Sequence, residues 1–528
     1  MIAPETTIPR LLLASAERHR DRHALEDGPV VLRTSELAER ALVAARAFRA
    51  SGVLAGDRVA IWAPNAWEWV VAALGLQCAG AVLVPINTRM KGAEAAFILR
   101  RSRARVLCTV GEFLGNHYLA MLEGEELPEL ETRVTFRAHG GRAVPWEEFL
   151  ERAAGISPAE ARQRALAVSP DDLADLMFTS GTTGHPKGVM TAHGQNLRVF
   201  NAWSEVVGLR AGDRYLIVNP FFHSFGYKAG WLASLICGAT ALPHAVFDVP
   251  AVLERVARER VSVLPGPPTL YQSLLAHPDR SRFDLSSLRL AVTGAAAIPV
   301  ELVHRMREEL GFETVVTGYG LTEATGTATM CRHDDDPETI ATTSGRALPE
   351  VEVRCVDDVG REVPRGAPGE VVVRGYNVMR GYFEDPEATA AAIDAEGWLH
   401  TGDVGVLDER GYLRITDRKK DMYILGGFNC YPAEIENAMF SHGGIAQVAV
   451  IGIPDERLGE VGMAFVVSKP GAELSEEGLL AWCREKMANY KVPRRVAIVD
   501  ELPLNASGKV MKFVLRERAR AALRGGGR

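Results

Sequence analysis

The sequence predicts an α/β protein with a large N-terminal domain of layered sheets and helices, followed by a small α+β domain. The first observation is length, because 528 residues exceed what one hydrophobic core normally serves. The second is an alternation of short β-branched runs with helical patterns, which is typical of mostly parallel sheets. The third is a change in composition after Gly397, where charged residues crowd into a span that resembles an exposed connector.

Apolar runs that end in glycine- or proline-bearing loops are predicted to be strands. In the N-terminal part they cover residues 58–62, 173–178, 216–218, 261–264, 288–292 and 314–316. Helical patterns lie between them, as at 37–49 and 300–310, and the stretch 69–86 predicts a buried helix that leads into a strand at 81–84. Ligands of such sheets bind beyond the carboxyl ends of the strands, so the loops there are candidate sites.

The C-terminal part predicts a separate small unit. Residues 448–453 and 463–467 are predicted strands, and residues 433–440 and 475–487 are predicted helices.

Composition excludes several classes of protein. A net charge of −7 gives no reason to expect a nucleic-acid partner. The N-terminus lacks the pattern of a signal peptide, and the most apolar stretch contains Gln77 and Pro85, so no membrane span is expected. The seven cysteines have no short paired spacing, which predicts neither a zinc site nor a disulfide framework and favours a reducing cytoplasm.

The segment from Thr179 to Gly188 predicts a loop that binds polyphosphate. Its glycines leave backbone N–H groups free to turn toward one anion, its hydroxyls add donors, and its lysine adds a charge. The candidate phosphate contacts are Thr179, Ser180, Gly181, Thr182, Thr183, Gly184 and Lys187. Lys187 is preceded by proline and followed by glycine, which excludes the Gly-Lys-Ser/Thr loop of common nucleotide hydrolases. The alternative is a flexible surface loop.

Four further motifs follow in order. They are Gly318-Tyr319-Gly320-Leu321-Thr322-Glu323, Trp398-Leu399-His400-Thr401-Gly402-Asp403, Asp417-Arg418-Lys419-Lys420-Asp421 and Pro503-Leu504-Asn505-Ala506-Ser507-Gly508-Lys509. With the phosphate loop, they closely resemble the adenylate-forming superfamily of acyl-CoA synthetases, adenylation domains and beetle luciferases. The resemblance covers about residues 9–518. It implies an N-terminal adenylation domain at 1–419 and a mobile C-terminal domain at 420–528.

The resemblance also implies nucleotide-binding roles. Tyr319 would stack on adenine, Thr322 would contact the α-phosphate, and Glu323 would hold Mg²⁺. The remaining nucleotide contacts would be Gly294, Ala295, Ala296, Gly318, Gly320, Asp403 and Arg418, with Asp403 on the ribose hydroxyls and Arg418 on the ribose or phosphates. The alternatives are a core tyrosine at Tyr319, a helix start at Thr322 and a surface turn at Asp403.

Three C-terminal features gain roles through the resemblance alone. Lys509 would reach the substrate carboxylate and α-phosphate and neutralise charge in the transition state. Lys420 would be the hinge about which the C-terminal domain rotates between two half-reactions, and the loop at Gly426 and Gly427 would then line the pantetheine channel. The alternatives are solvated surface lysines and an ordinary hairpin turn.

A pocket for the acyl group is predicted near the adenylate. Its candidate residues are His223, Phe225, Tyr227, Lys228, Thr269, Leu270, Gly294, Gly318 and Gly326. By resemblance, His223 lies beside the acyl group and the approaching thiol, although a buried structural histidine is the alternative. Residues 221–230 also resemble ligases that activate polycyclic steroid- or terpenoid-derived acids. Lys228 would either meet a ring oxygen of such an acid or lie at the surface.

The predicted function is an AMP-forming acid-thiol ligase that uses ATP, Mg²⁺ and coenzyme A. Two alternatives stay open. One is an adenylating enzyme that loads a separate carrier protein, and the other is a non-catalytic nucleotide sensor, which the presence of Glu323, Asp403 and Lys509 argues against. The sequence is compatible with a homodimer.

Overall fold

The structure is a computed structural model. It describes residues 6–525 apart from 138–142, 180–185, 295–297, 419–420, 426–427, 456–457, 488, 490 and 505–509. None of the helices within these ranges is both long and apolar enough to cross a membrane.

The α-helices, in chain order, are α1 (Ile8–Arg18), α2 (Thr34–Ala50), α3 (Trp67–Cys78), α4 (Gly92–Ser102), α5 (Trp146–Glu151), α6 (Pro158–Leu166), α7 (His193–Val207), α8 (Ser224–Gly226), α9 (Ala233–Cys237), α10 (Val249–Glu259), α11 (Pro268–Ala276), α12 (Val300–Leu310), α13 (Pro337–Thr342), α14 (Pro386–Ala392), α15 (Pro432–Phe440), α16 (Glu476–Lys486) and α17 (Lys512–Gly525). A π-helical segment, Tyr227–Leu232, joins α8 to α9. Short 3₁₀ turns lie at Ala120–Leu122, Arg152–Gly155, Arg280–Arg282 and Thr322–Ala324.

The strands, in chain order, are β1 (His23–Asp27), β2 (Val30–Arg33), β3 (Arg58–Trp62), β4 (Val82–Pro85), β5 (Ala104–Val110), β6 (Glu112–Phe113), β7 (Asn116–His117), β8 (Thr132–Phe136), β9 (Val144–Pro145), β10 (Leu173–Thr179), β11 (Lys187–Ala192), β12 (Arg214–Ile217), β13 (Thr240–Pro243), β14 (Leu290–Gly294), β15 (Thr314–Tyr319), β16 (Thr329–Met330), β17 (Arg346–Ala347), β18 (Glu352–Val356), β19 (Pro368–Arg374), β20 (Gly381–Tyr382), β21 (Leu399–Leu407), β22 (Leu413–Arg418), β23 (Tyr423–Leu425), β24 (Phe428–Cys430), β25 (Ile445–Asp455), β26 (Gly459–Ser468) and β27 (Arg495–Ile498).

The largest sheet has eight strands in the order β20-β11-β10-β4-β3-β5-β8-β9. The strands from β10 to β9 are parallel, whereas β11 is antiparallel to both β10 and β20. Strand β3 is buried from Val59 to Trp62, which fits the near-continuous apolar run of a strand covered on both faces. The predicted preference for parallel pairing is confirmed in this sheet.

A second sheet system combines two four-stranded orders, β12-β13-β1-β2 and β14-β15-β16-β17. Val263 joins them through single bridges to Tyr215 and Leu290. The predicted strand at 261–264 is an extended segment in which Val263 alone forms β-bridges. The N–H groups of Leu264 and Gly266 donate to the carbonyls of Leu290 and Val292 at 3.1 Å and 3.0 Å, so the segment lies along β14 on both sides of Pro265.

The chain divides into two compact units. The first comprises residues 1–353 and 373–399, and the second comprises residues 354–372 and 400–528. Both units combine helices with sheets, in agreement with the predicted α/β class. The domain boundary at 419/420 stays a prediction.

The second unit has its own core around the sheet β24-β23-β26-β25, with β27 paired to β26. Gly452 and Gly462 face each other across β25 and β26. A β-carbon at either glycine would overlap the side chain of Tyr423, which is buried. The two glycines therefore leave the space that this aromatic ring fills.

Candidate active site

The predicted phosphate loop connects two antiparallel strands of the first unit. Thr179 ends β10 and Lys187 begins β11, and the two residues face each other in register. The hairpin thus brings the first hydroxyl and the cation of the motif together. The other predicted phosphate contacts, Ser180, Gly181, Thr182, Thr183 and Gly184, lie outside the described residues.

Glu323 lies beside this hairpin. It occupies the 3₁₀ turn Thr322–Ala324, a single short turn and not the start of an α-helix. The Thr179 hydroxyl lies 3.4 Å from Oε1 of Glu323, within reach of a weak hydrogen bond. The structure therefore brings together the hydroxyl, the cation and the carboxylate that the sequence places in three separate positions.

Tyr382 contacts two of these groups and was not predicted from the sequence. Its hydroxyl donates to Oε1 of Glu323 at 3.0 Å, and its ring centroid lies 5.0 Å from Nζ of Lys187. Burial, together with the negative charge of Glu323, raises the pKa of the Tyr382 phenol above its ordinary value. The phenol therefore stays protonated and acts as a donor to the carboxylate. No motif marks this tyrosine in the sequence.

In the predicted adenine site, segments of the backbone lie close to one another. Gly294 and Gly318 pair in register across β14 and β15, and Tyr319 is half-buried at the end of β15. A β-carbon at Gly320 would overlap the carbonyl oxygen of Gly326. Gly318 and Gly320 therefore allow close packing against Met330 and Gly326, and the role of this segment at an adenine ring stays a prediction. Ala295 and Ala296 lie outside the described residues.

Part of the predicted acyl pocket is accessible. His223 is exposed and its Nδ1 accepts a hydrogen bond from the N–H of Phe225 at 3.2 Å. Phe225 is half-buried. A β-carbon at Gly326 would lie 3.1 Å from Cβ of Ser224, so the turn after Glu323 packs against the segment that carries His223. The alternative of a buried structural histidine is wrong for His223.

Two further predicted pocket residues lie on α11. Thr269 is exposed and Leu270 is 3 % exposed. Thr269 is thus available to a ligand, whereas Leu270 packs into the interior of the first unit.

Tyr227 and Lys228 do not line an accessible pocket in this structure, since both are 0 % exposed. Nζ of Lys228 lies 3.0 Å from the Asp175 carboxylate and donates to the Thr191 hydroxyl at 2.9 Å. The expectation of a surface lysine is therefore wrong, because an acidic partner on β10 compensates the buried charge. Burial lowers the pKa of Lys228, although Asp175 opposes this shift.

Tyr227 belongs to the same buried region. Its hydroxyl accepts a hydrogen bond from Nε2 of Gln77 at 3.0 Å, and its ring stacks on Trp231. Burial of Tyr227 and Lys228 argues against direct contact with a substrate and indicates a structural role for both.

Two predicted nucleotide contacts lie in the second unit. Asp403 on β21 pairs with Arg418 on β22 in an antiparallel register, and Asp403 is 6 % exposed. The N–H of Asp403 donates to the Thr401 hydroxyl at 3.1 Å, which fixes the turn that carries the carboxylate. Lys420, Gly426, Gly427 and Lys509 lie outside the described residues.

The fold, and the proximity of Thr179, Lys187 and Glu323, agree with a nucleotide-binding enzyme of the adenylate-forming class. The chain belongs to the AMP-binding enzyme family. The model of this family matches residues 12–383, and the model of the AMP-binding enzyme C-terminal domain matches residues 434–509. The resemblance noted from the motifs is thereby confirmed, with its large N-terminal and small C-terminal domains.

Three known proteins show how similar the chain is to characterised members. A "3-[(3aS,4S,7aS)-7a-methyl-1,5-dioxo-octahydro-1H-inden-4-yl]propanoyl:CoA ligase" of Rhodococcus jostii is 54 % identical over 98 % of this chain and 99 % of the relative. The ligase of the same name from Mycobacterium tuberculosis is 52 % identical over 98 % and 100 %, respectively. The crystal structure of the anthranilate CoA ligase AuaEII in complex with anthranoyl-AMP aligns with a TM-score of 0.87 at 30 % identity, over 99 % of both chains.

Proposed function

We propose that this protein is an ATP-dependent acyl-CoA ligase that activates a bulky polycyclic carboxylic acid and transfers it to coenzyme A. The observation that carries the proposal is the full-length identity of 54 % and 52 % to two ligases named for a methylated bicyclic dione with a propanoyl arm. Thr179 and Lys187 of the hairpin, with Glu323 beside them, are groups suited to an adenylation reaction.

The reaction has two steps. A carboxylate oxygen of the acid attacks the α-phosphorus of ATP, the bond to the bridging oxygen breaks, and pyrophosphate leaves. The sulfur of coenzyme A then attacks the acyl carbon, the thiol proton is released, and the bond between that carbon and the AMP oxygen breaks, so AMP leaves with the bonding electron pair. Lys187 neutralises phosphate charge in the first step, the loop hydroxyls donate hydrogen bonds to phosphate oxygens, and Thr322 contacts the α-phosphate.

Glu323 is the residue that would hold a Mg²⁺ ion. Its carboxylate is a hard oxygen ligand, and the Thr179 hydroxyl lies next to it. Within the described part of the chain there is no cluster of three or more His, Cys, Asp or Glu side chains that forms a metal cage. A bound Mg²⁺ ion would neutralise phosphate charge and favour departure of pyrophosphate.

The C-terminal residues complete the proposal. Lys509 approaches the carboxylate and α-phosphate during adenylation, and rotation about Lys420 replaces it with the loop at Gly426 and Gly427 for thioester formation. Asp403 and Arg418 bind the ribose, with Arg418 also able to reach the phosphates. These roles rest on the family motifs that the residues match.

A substrate panel tests the proposal. Pyrophosphate release should be measured with the bicyclic dione propanoic acid, a planar aromatic acid and linear acids of several lengths, each with and without coenzyme A. The account predicts the largest kcat/KM for the bicyclic acid and a matching acyl-CoA product. A preference for linear acids would contradict the polycyclic assignment, and no pyrophosphate release with any acid would support a non-catalytic role.

The proposal also covers the thiol that accepts the acyl group, the cellular compartment and the oligomeric state of the enzyme. A separate carrier protein is the competing acceptor, and a direct comparison of coenzyme A with a phosphopantetheinyl carrier decides between them. The seven cysteines, all of them among the described residues, form no disulfide bond, which fits a reducing cytoplasm. A homodimer is compatible with the proposal, and sedimentation of the purified chain tests it.

A further inference from the structure

Tyr382 contacts a cation and an anion of the candidate phosphate site with different parts of one side chain. Its hydroxyl lies 3.0 Å from Oε1 of Glu323, and its ring centroid lies 5.0 Å from Nζ of Lys187. The first contact is a hydrogen bond to a charged acceptor, and the second is within the range of a cation–π interaction. One tyrosine therefore links the two charged groups on which binding of the nucleotide depends.

The backbone at Tyr382 is tied to the strand that carries Lys187. Tyr382 pairs with Val189 across β11 and β20, and the N–H of Phe383 donates to the carbonyl of Gly188 at 2.7 Å. The N–H of Tyr382 donates to the Thr389 hydroxyl at 2.8 Å. The ring is therefore held in a fixed relation to Lys187.

Two more contacts hold the flanking residues. The N–H of Met379 donates to the carbonyl of Glu323 at 2.8 Å. Nη2 of Arg101 donates to the carbonyls of Phe383 and Glu384 at 3.0 Å and 2.9 Å, respectively. The segment is thus anchored on both sides of the tyrosine, which limits the positions that its hydroxyl can take.

We propose that Tyr382 is a positioning residue for the Mg²⁺ and polyphosphate site. Its hydroxyl orients the Glu323 carboxylate toward the metal, and its ring holds the Lys187 ammonium toward the phosphates. Both contacts are formed within the chain itself, so the fold arranges the two charges and less ordering is needed when ATP binds. This inference rests on the proposed function and extends it to a residue outside the predicted motifs.

Two substitutions separate the two contacts. Tyr382→Phe keeps the ring beside Lys187 and removes the hydroxyl from Glu323, whereas Tyr382→Leu removes both. Tyr376→Phe is a matched control on the same segment, because the Tyr376 ring lies 4.0 Å from the Arg198 guanidinium. ATP binding to each full-length variant is measured by calorimetry without any acid, once with Mg²⁺ and once with EDTA.

Tyr382→Phe should raise the Kd for ATP about threefold to tenfold with Mg²⁺ and leave it unchanged with EDTA, since only the carboxylate loses its partner. Tyr382→Leu should also raise the Kd with EDTA, by about twofold to fivefold, because Lys187 loses the ring. Tyr376→Phe should leave the Kd for ATP unchanged, both with Mg²⁺ and with EDTA.

The hydroxyl assignment is overturned if Tyr382→Phe binds Mg·ATP like the wild type, or if it weakens binding equally with and without Mg²⁺. The role of the ring is overturned if Tyr382→Leu has the same Kd for ATP as Tyr382→Phe, both with Mg²⁺ and with EDTA. If the leucine variant does not fold, Tyr382→Met provides the same comparison. If the wild-type protein binds ATP but releases no pyrophosphate with any acid, the proposed function is wrong. The comparison of ATP binding among the variants would still test the role of Tyr382.

Discussion

The ammonium of Lys228 lies 3.0 Å from the carboxylate of Asp175, and both side chains are completely buried. Asp175 belongs to β10, the strand that ends at Thr179, and Lys228 belongs to the π-helical segment that follows His223. Nδ2 of Asn196 donates to the same carboxylate at 2.7 Å. The pair therefore links β10, the strand before the predicted phosphate loop, to the segment that carries His223 of the predicted acyl pocket.

The first prediction concerns the stability of this pair. Lys228→Met leaves the Asp175 charge buried without a cation and should lower the free energy of unfolding by about 3–5 kcal/mol. Urea unfolding followed by tryptophan fluorescence measures this change mainly in the first unit, since Trp482 is the single tryptophan of the second.

The matched control is the double variant Lys228→Met with Asp175→Asn, which removes both charges and keeps an amide that can hydrogen-bond to Thr191. It should recover most of the lost stability. A double variant as unstable as Lys228→Met alone would show that the charge pair is not the cause.

The second prediction concerns pH. Burial lowers the pKa of His193 from 6.5 to about 4, so His193 stays neutral in the folded chain while the unfolded chain takes up a proton below pH 6.5. The free energy of unfolding should therefore rise with pH between about 4 and 6.5, and this group should contribute about 3 kcal/mol across the window.

His193→Gln removes the titrating group and should flatten that part of the pH profile of urea unfolding. His304→Gln is the control, because His304 lies exposed on α12. An unchanged slope in His193→Gln would contradict the assignment.

The third prediction separates the half-reactions at Lys509. Lys509→Ala should lower the rate of adenylate formation about 10²-fold or more, because a charge near the reacting phosphate is lost, and should retain thioester formation from supplied acyl-AMP. Single-turnover assays of each half-reaction measure both rates. Lys512→Ala should affect neither, since Lys512 pairs with Glu436 at 2.8 Å. Equal loss of both half-reactions in Lys509→Ala would refute its role.

The fourth prediction concerns Lys420. Lys420→Pro fixes φ at this position and restricts the residue before it, so rotation of the C-terminal domain should be blocked. Adenylate formation should continue, while thioester formation from supplied acyl-AMP should fall at least about tenfold. Thioester formation at the wild-type rate would remove the hinge role from Lys420.

Elements with a strong local pattern were predictable from the sequence. The strand Arg58–Trp62 and the helix Val300–Leu310 match their predicted ranges, because a β-branched run and an amphipathic period each specify one structure. The strand at 261–264 was overestimated in extent, since hydrophobicity does not report that regular β-bridges are limited to Val263.

The site was predictable where a motif is continuous in the sequence. The glycine- and hydroxyl-rich segment indicated a loop after the strand at 173–178, and the structure adds that Lys187 begins a second, antiparallel strand and that Glu323 lies beside it. Two relationships were not predictable. The contact of Tyr382 with Glu323 and the pairing of Lys228 with Asp175 both depend on chain segments that only the tertiary fold brings together.

The most direct test of the central claim follows the oxygen of the acid. The acid is labelled with ¹⁸O in its carboxylate and converted with ATP, Mg²⁺ and coenzyme A, and the phosphate products are analysed by mass spectrometry. Attack on the α-phosphorus predicts that a labelled oxygen appears in AMP and that pyrophosphate stays unlabelled. Label in inorganic phosphate, together with formation of ADP, would contradict the account.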